Sequence, residues 1–406
     1  MEGTRSVRLP FRENLPGQGL MLLTMALLAF GAVMVYSASS HFRSDIPWYA
    51  RRDIRQVVFA VAGLLILLAL WRIDYHWLIR RPFPASRRWR WVPSPAVCLF
   101  ILSFLLAGLV LVAGRQIGQA NVRRDFRWGA LGFQPAEALK FAVLILLAGF
   151  LARRSPEVRS FHKTFLPVLA IMLVTCGVIV TQDFDTAVII GAAVVMLVLL
   201  AGVPWWYLLT LVPFFCLSVY VLIVKDPYRW ARIVAFLNPW DQSNPHTYQS
   251  LQSMIWIGSG AQPAGLGGGV AKYGYLPESG TDFIFSVIAE EMGIPGVVLV
   301  VGLFLLWLWL VRRAAGRAGD RFGALLAGAL GFALVIQAAL HLLVAVVLAP
   351  ATGTGLPFIS AGGSSLLMMS AATALIVSVT SRRPAGELSA GELPAAGPVL
   401  STQSAE

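Results

Sequence analysis

The chain has 406 residues, of which 57% are hydrophobic and 13% charged, with a mean hydropathy of +0.73. That charged fraction is about half the usual share for a soluble globular protein, which excludes a water-soluble domain and points to an integral membrane protein. The net charge of +12 does not mark a nucleic-acid binder, because its distribution is that of a membrane topology.

Ten apolar stretches are candidate spans: 19–37, 56–71, 94–114, 137–152, 164–181, 186–202, 205–224, 292–311, 322–348 and 363–380. A hydrocarbon core about 30 Å thick needs roughly 20 helical residues, so the second and fourth must extend through their polar flanks. Arg5, Arg8 and Arg12 precede a first stretch that ends in Tyr36–Ser40 and resembles a cleavable leader. Its apolar run is longer than a signal core and nine spans follow, so it reads as an uncleaved anchor. Gly202–Val203–Pro204 divides 39 uncharged residues into two spans. The 60 residues between Arg321 and Arg382 carry no Asp, Glu, Lys or Arg, enough for two spans and a tight turn.

With ten spans both termini lie on one side. The termini and even-numbered loops hold 19 Lys and Arg against 8 acids, and the other loops 13 against 12. Arg80, Arg81, Arg87, Arg88 and Arg90 mark the basic side as cytoplasmic, with anionic head groups as its neighbours. The expected fold is an all-α polytopic membrane protein with about ten transmembrane helices and both termini cytoplasmic. A single transmembrane domain covers 1–381, with a large extracytoplasmic loop at 225–292 between the seventh and eighth helices. The Ala-, Pro-, Gly- and Ser-rich tail 382–406 is expected to be disordered. Cys98, Cys176 and Cys216 fall within spans and are too scattered for a metal site or disulfide framework.

Residues suited to chemistry concentrate in the outer loops. Asp282 follows Ser279 and Thr281, either of which can cap an incoming helix. In the first turn of that helix the dipole would hold its carboxylate ionised at neutral pH, ready to accept a proton or hold a cation; a plain capping acid is the alternative. Glu290 and Glu291 open the next span and need a partner or an aqueous cavity. Eight residues after Asp282, about 80° around a helix, Glu290 either shares its cavity or has a structural role. Glu137 and Lys140 are spaced to pair on one helix face, either facing a diphosphate or only joining helices.

Arg123, Arg124 and Arg127 have the donor forks that fit phosphate. Arg229 and Arg232 match a pyrophosphate or lipid phosphates equally well. Asp183 and Asp185 sit in a short hairpin where Asp also serves turn geometry. Six of the twelve residues 258–269 are glycine without a nucleotide-binding pattern, which means close approach to a ligand or a mobile gate. Thr352, Ser360, Ser364 and Ser365 lie among glycines, a setting for a broken-helix ligand site or a close helix contact. His341, deep in the ninth span, reads as a helix-packing group.

These segments resemble the SEDS family of bacterial membrane glycosyltransferases, the FtsW, RodA and SpoVE proteins. The matching pieces are YSAS at 36–39, IDY at 73–75, Gln134–Pro135–Ala136–Glu137 with Lys140, FLNPW at 236–240, YQ at 248–249 and IGSG at 257–260. LPE at 276–278, TDFIFSVIAEEMG at 281–293, LPFIS at 356–360 and GGSSLL at 362–367 complete the set. NPW, YQ and GGSSLL lean toward FtsW, and AEEMG toward RodA. Departures include Asp185, where the hairpin usually carries glycine, Gly280 for histidine, Ala136 for serine, His341 for asparagine and Ala361 for tyrosine.

The resemblance implies polymerisation of lipid II by inverting transfer, with release of undecaprenyl diphosphate and Asp282 as the catalytic residue. Glu137, Lys140, Arg124, Arg229, Arg232, Asp183 and Ser364 are the candidates for substrate or diphosphate binding, with a divalent cation, Mg2+ or Mn2+, as a further source of positive charge. It also implies a class B penicillin-binding transpeptidase and other division or elongation proteins as partners, and no nucleic acid. The setting implied is the bacterial inner membrane, with the site facing outward. A transporter of lipid-linked precursors and a scaffold for the transpeptidase are the competing readings.

Overall fold

Twelve helices, separated largely where charge or proline interrupts the apolar runs, make up most of the computed structural model, which describes residues 6–8, 14–39, 47, 49, 51–80, 93–117, 122–128, 131–241, 247–276 and 278–384. They are α1 (Leu15–Ala38), α2 (Arg52–Leu70), α3 (Pro95–Ala113), α4 (Pro135–Arg153), α5 (Leu166–Ile179), α6 (Phe184–Leu200), α7 (Val212–Val219), α8 (Pro227–Leu237), α9 (Thr247–Ser259), α10 (Ile284–Gly316), α11 (Arg321–Ala345) and α12 (Gly363–Thr380). Eight helical segments are long and apolar enough to cross a membrane, and two shorter apolar ones, Phe184–Leu200 and Trp205–Val219, lie where the sixth and seventh spans were expected. The chain is a multi-pass membrane protein.

The packing is graded. In α4, 83% of the apolar window is buried inside the protein, against 22% in α2 and in α3. A helix that is apolar on every side belongs in a core or in lipid; α4 forms the centre, while α2 and α3 present most of their surface outward. The strongest helix pairings are α2 with α12, α10 with α11 and α3 with α4. α7 buries no residue, and Phe214, Phe215 and Leu217 point away from the bundle.

A three-stranded antiparallel meander, β2 (Arg115–Ile117), β3 (Val122–Trp128) and β4 (Leu131–Phe133), links α3 to α4 and carries the arginines of that loop. The expected loop 225–292 is itself built of α8, α9, a turn at Ala271–Tyr275 and the start of α10. α10 is two helices joined at Gly293, whose φ of 64° and ψ of −154° break the helical course. The first piece, 284–292, is buried from Ile284 to Glu291; the incoming helix and the expected span at 292–311 are thus separate pieces.

At the other end of α2 from the meander, Asp74 accepts from the backbone and the ring Nδ1 of His76 (3.0 and 2.8 Å). Arg382 lies 3.3 Å from the same carboxylate, and the Tyr75 hydroxyl donates to Asp320. Arg382–Pro384 pairs as β5 with β1, Ser6–Arg8, so the first three residues of the expected disordered tail form a strand. Residues 385–406, and the Arg81, Arg87, Arg88 and Arg90 cluster, lie outside the described residues.

Candidate active site

Asp282 is not in the first turn of a helix. α10 begins at Ile284 without a side-chain cap, and Asp282 belongs to the turn before it, where the backbone N–H groups of Thr281 and Asp282 both donate to the carbonyl of Glu278 (3.0 and 3.1 Å). Glu278 takes a φ of 53° to close that turn. It accepts from the Thr281 hydroxyl (2.9 Å) and is gripped by both terminal nitrogens of Arg52 (3.1 and 3.4 Å). The Ser360 hydroxyl donates to the carbonyl of Thr281 (2.6 Å), and the Ala361 N–H to that of Gly280 (2.9 Å). The turn is therefore stitched to the 351–362 segment that precedes α12.

The carboxylate of Asp282 faces a cavity of about 340 Å³. Its wall includes Arg55, Arg124, Arg127, Asp183, Glu137 and Ser364. Burial pushes the Asp282 carboxyl up to about 7, helped by the negative charges of Glu278 and then Asp185, and opposed by Arg124 and a hydrogen bond from Thr281. This differs from the ionised, dipole-stabilised acid expected from the sequence. The helix that was to stabilise the charge starts two residues too late, and desolvation then dominates.

Gly353 marks the point of convergence. A Cβ there would stand 3.5 Å from a terminal nitrogen of Arg124, 3.7 Å from Asp282 Oδ2 and 3.9 Å from Asp185 Oδ2. Asp185 accepts from the Gly353 N–H (2.7 Å). Asp183 caps α6 by accepting from the Thr186 N–H (3.3 Å) and hydroxyl (2.9 Å), and it also accepts from the Gln134 side chain (3.0 Å). Arg124 is aimed by its Nε–H, which donates to the carbonyl of Gln182 (2.7 Å). Ser364 accepts from the Gln134 N–H (3.2 Å).

Beside this cavity is a second of about 290 Å³, to which Arg52, Gln56 and Phe59 are added and which shares Arg55, Arg127, Glu278 and Thr281 with the first. Arg55 Nε is buried with no hydrogen-bond partner among the described residues. Three guanidinium groups against one glutamate leave this chamber cationic, whereas in the other Arg55, Arg124 and Arg127 face Asp125, Glu137, Asp183, Glu278 and Asp282; Arg55 and Arg127 stand between the two. Sequence reasoning misses Arg55 because it opens a helix rather than standing in a long polar loop. The available signal is the run of Arg51, Arg52 and Arg55 at the outer mouth of an apolar stretch.

Other candidates lie elsewhere. Lys140 does not face the cavity: its ammonium is enclosed, donating to Glu137 Oε2 (2.9 Å) and Gln337 Oε1 (2.8 Å), both of which line the cavity. Arg229 donates to the Val180 carbonyl (3.1 Å) and pairs with Asp226, and Arg232 donates to the Ala351 carbonyl (3.3 Å); neither lines the cavity. Glu290 does not share the Asp282 chamber. It turns to the glycine-rich segment and accepts from the backbone of Val270 and Ala271, while Glu291 holds Lys272 (2.9 Å) and Ser37 (2.6 Å). Close approach explains Gly269, where a Cβ would come within 2.7 Å of the Glu290 carboxylate. His341 Nδ1 meets the Thr354 carbonyl (2.9 Å), a packing contact.

Among the described residues no three His, Cys, Asp or Glu side chains are placed to hold a metal ion by themselves. The carboxylates of Asp282 and Asp185 also share their spot with the Arg124 guanidinium.

A membrane-embedded helical bundle with a half-buried carboxylate beside an arginine-lined chamber is the architecture defined by these features. The chain belongs to the FtsW/RodA/SpoVE family: a family model described as "Cell cycle protein" matches residues 18–384. It is 37% identical to a probable peptidoglycan glycosyltransferase FtsW of Thioalkalivibrio sulfidiphilus, over 92% of this chain and 90% of that one. Among solved structures, it is similar to a chain from a peptidoglycan synthase complex described as coordinating polymerization and crosslinking (TM-score 0.70, 28% identity, 89% of this chain and 97% of that one). It is also similar to the rod shape determining protein RodA of Thermus thermophilus (TM-score 0.62, 28% identity, 89% and 95%).

Proposed function

We infer that this chain is a peptidoglycan glycosyltransferase of cell division or cell shape that polymerises lipid II at the outer face of the bacterial cytoplasmic membrane. The observation that carries the reading is the pairing of an Asp282 carboxyl tuned to about 7 with an adjoining cationic chamber. A general base works best when its pKa lies near the operating pH.

Asp282 takes the proton from the 4-hydroxyl of the acceptor GlcNAc as that oxygen attacks the anomeric carbon of the donor MurNAc. The new C–O bond forms while the bond from the anomeric carbon to the diphosphate oxygen breaks with inversion. The electron pair leaves with undecaprenyl diphosphate. Arg124, Arg127 and Arg55 meet the charge developing on that leaving group, their forks matching phosphate oxygens. Glu137, Asp183 and Ser364, on the wall of the Asp282 cavity, hold the sugar. The diphosphate is compensated by these guanidinium groups, and a divalent cation on its phosphates would add to that charge.

A class B penicillin-binding transpeptidase is the proposed partner, since a relative of this fold works within a peptidoglycan synthase complex. The outward orientation rests on the Lys and Arg distribution.

The test is reconstitution of the purified full chain with lipid II, alone and with a candidate transpeptidase, followed by separation of glycan strands on a gel. A ladder of strands with release of undecaprenyl diphosphate is expected. Transbilayer movement of labelled lipid II with no glycan would favour the precursor transporter instead.

A further inference from the structure

We propose that Asp185 is a positioning residue of the reaction centre: its carboxylate tethers the backbone of Gly353 beside Asp282 and sets a second negative charge next to the base. The reading rests on Asp282 being the proton acceptor, and its geometry is independent of which sugar carries the proton.

Asp185 is the second residue of α6 and is buried. A carboxylate in that position is expensive unless its oxygens are bonded and its charge is compensated. The bond is the 2.7 Å contact from the Gly353 N–H, and the compensation comes from Arg124 and Arg232. Asp183, one residue before α6, closes the helix through Thr186. Capping therefore does not account for Asp185, whose contact reaches across 168 residues of sequence. The contact fixes the middle of the 351–355 segment, which Gln337 and His341 fasten from α11 through the carbonyls of Gly355 (3.0 Å) and Thr354 (2.9 Å). Gly353 is then left with its Cβ position open toward Arg124, Asp282 and Asp185 together.

The charges around Asp282 come from several elements. Glu278 lies in its own turn and is already gripped by Arg52. Asp185 comes from α6 and Arg124 from β3. Arg55, Arg127, Asp125, Asp183 and Glu137 line the same cavity from α2, β3, the start of α6 and α4. Of the two acids that raise the Asp282 carboxyl, Glu278 has a guanidinium clamped on both oxygens. Asp185 is the one whose removal leaves the turn's own hydrogen bonds intact.

Asparagine at 185 keeps an oxygen for the Gly353 N–H and removes only the charge; alanine removes both. The experiment follows the protonated carboxyl band in pH-titrated infrared difference spectra of the full chain in nanodiscs, with the Asp282 band identified by its loss in Asp282→Asn. The wild-type midpoint is expected near 7, and Asp185→Asn is expected to lower it by at least half a pH unit. The acid limb of kcat/KM for lipid II polymerisation should move by the same amount. Asp185→Ala should add a loss of about tenfold in plateau kcat, the cost of a misplaced Gly353 segment. An unchanged midpoint in folded Asp185→Asn, or a wild-type midpoint at the ordinary carboxylate value near 4, would overturn the proposal. The spectral readout needs no turnover, so an absence of polymerisation would count against the proposed reaction and leave the role of Asp185 to be judged by the band.

Discussion

At pH 7 a carboxyl whose pKa is near 7 is half in its base form, so the rate of a reaction that Asp282 serves as base must depend on pH where an ordinary aspartate would not. The folded pKa is raised; the active, deprotonated form is therefore lost as pH falls through about 7. We expect kcat/KM to fall tenfold per pH unit below about 6.5 and to level off above about 7.5, as read from initial rates of strand synthesis. The position of Asp282 at the entrance to an apolar run was legible, with capping and catalysis both open. Its environment was not, because the groups that surround it come from α6, β3 and the 351–362 segment, which only the tertiary fold brings together. Lys140 shows the opposite outcome. Its spacing to Glu137 was legible and the pair exists, but which way the pair faces depends on Gln337, 197 residues away. Removing one partner of a buried pair costs about 3–5 kcal/mol because a lone charge is left behind. Lys140→Met should lower the melting temperature measured in detergent, and adding Glu137→Gln should restore part of the loss.

Among elements, the helices follow the hydropathy closely, and the departures occur where polar residues are buried. The stretch 284–292 carries two glutamates at its end, which read as the mouth of a span. In the structure it is a buried helix whose glutamates are consumed by the glycine-rich segment, Lys272 and Ser37. The break at Gly293 is what lets that helix turn inward. A φ of 64° with ψ of −154° is open essentially to glycine alone. A Cβ there would also stand 2.7 Å from the Gly260 carbonyl and 2.8 Å from Pro263. Gly293→Ala should therefore destabilise by more than the ~1–3 kcal/mol of backbone strain, with faster protease cleavage in 260–270 as the readout. The end of the glycine tract, which the sequence left open between gate and ligand loop, packs on the chain's own carboxylates at Gly267 and Gly269. Composition could reveal the need for small residues there but not what approaches them.

For the whole molecule, hydropathy located the bundle, because span length is set by the bilayer rather than by side-chain packing, and the basic residues predict an orientation. Placing 225–292 outside makes a concrete expectation. In a chain whose Cys98, Cys176 and Cys216 are replaced, cysteine at the exposed Leu266 should react with a membrane-impermeant maleimide in intact spheroplasts. Cysteine at the exposed Arg154 should react only after permeabilisation. The reverse pattern would put the cavity on the side without lipid-linked glycan.

The most direct test is the turnover of Asp282→Asn in the same reconstituted membranes as wild type. Asparagine preserves shape and removes the base, and a positioned base is worth about 10²–10⁴-fold in rate. The strand-forming rate at saturating lipid II should fall by at least a hundredfold while the melting temperature and the binding of lipid II stay close to wild type. Strand synthesis within a few-fold of wild type by this folded variant would contradict the assignment of Asp282 as the proton acceptor.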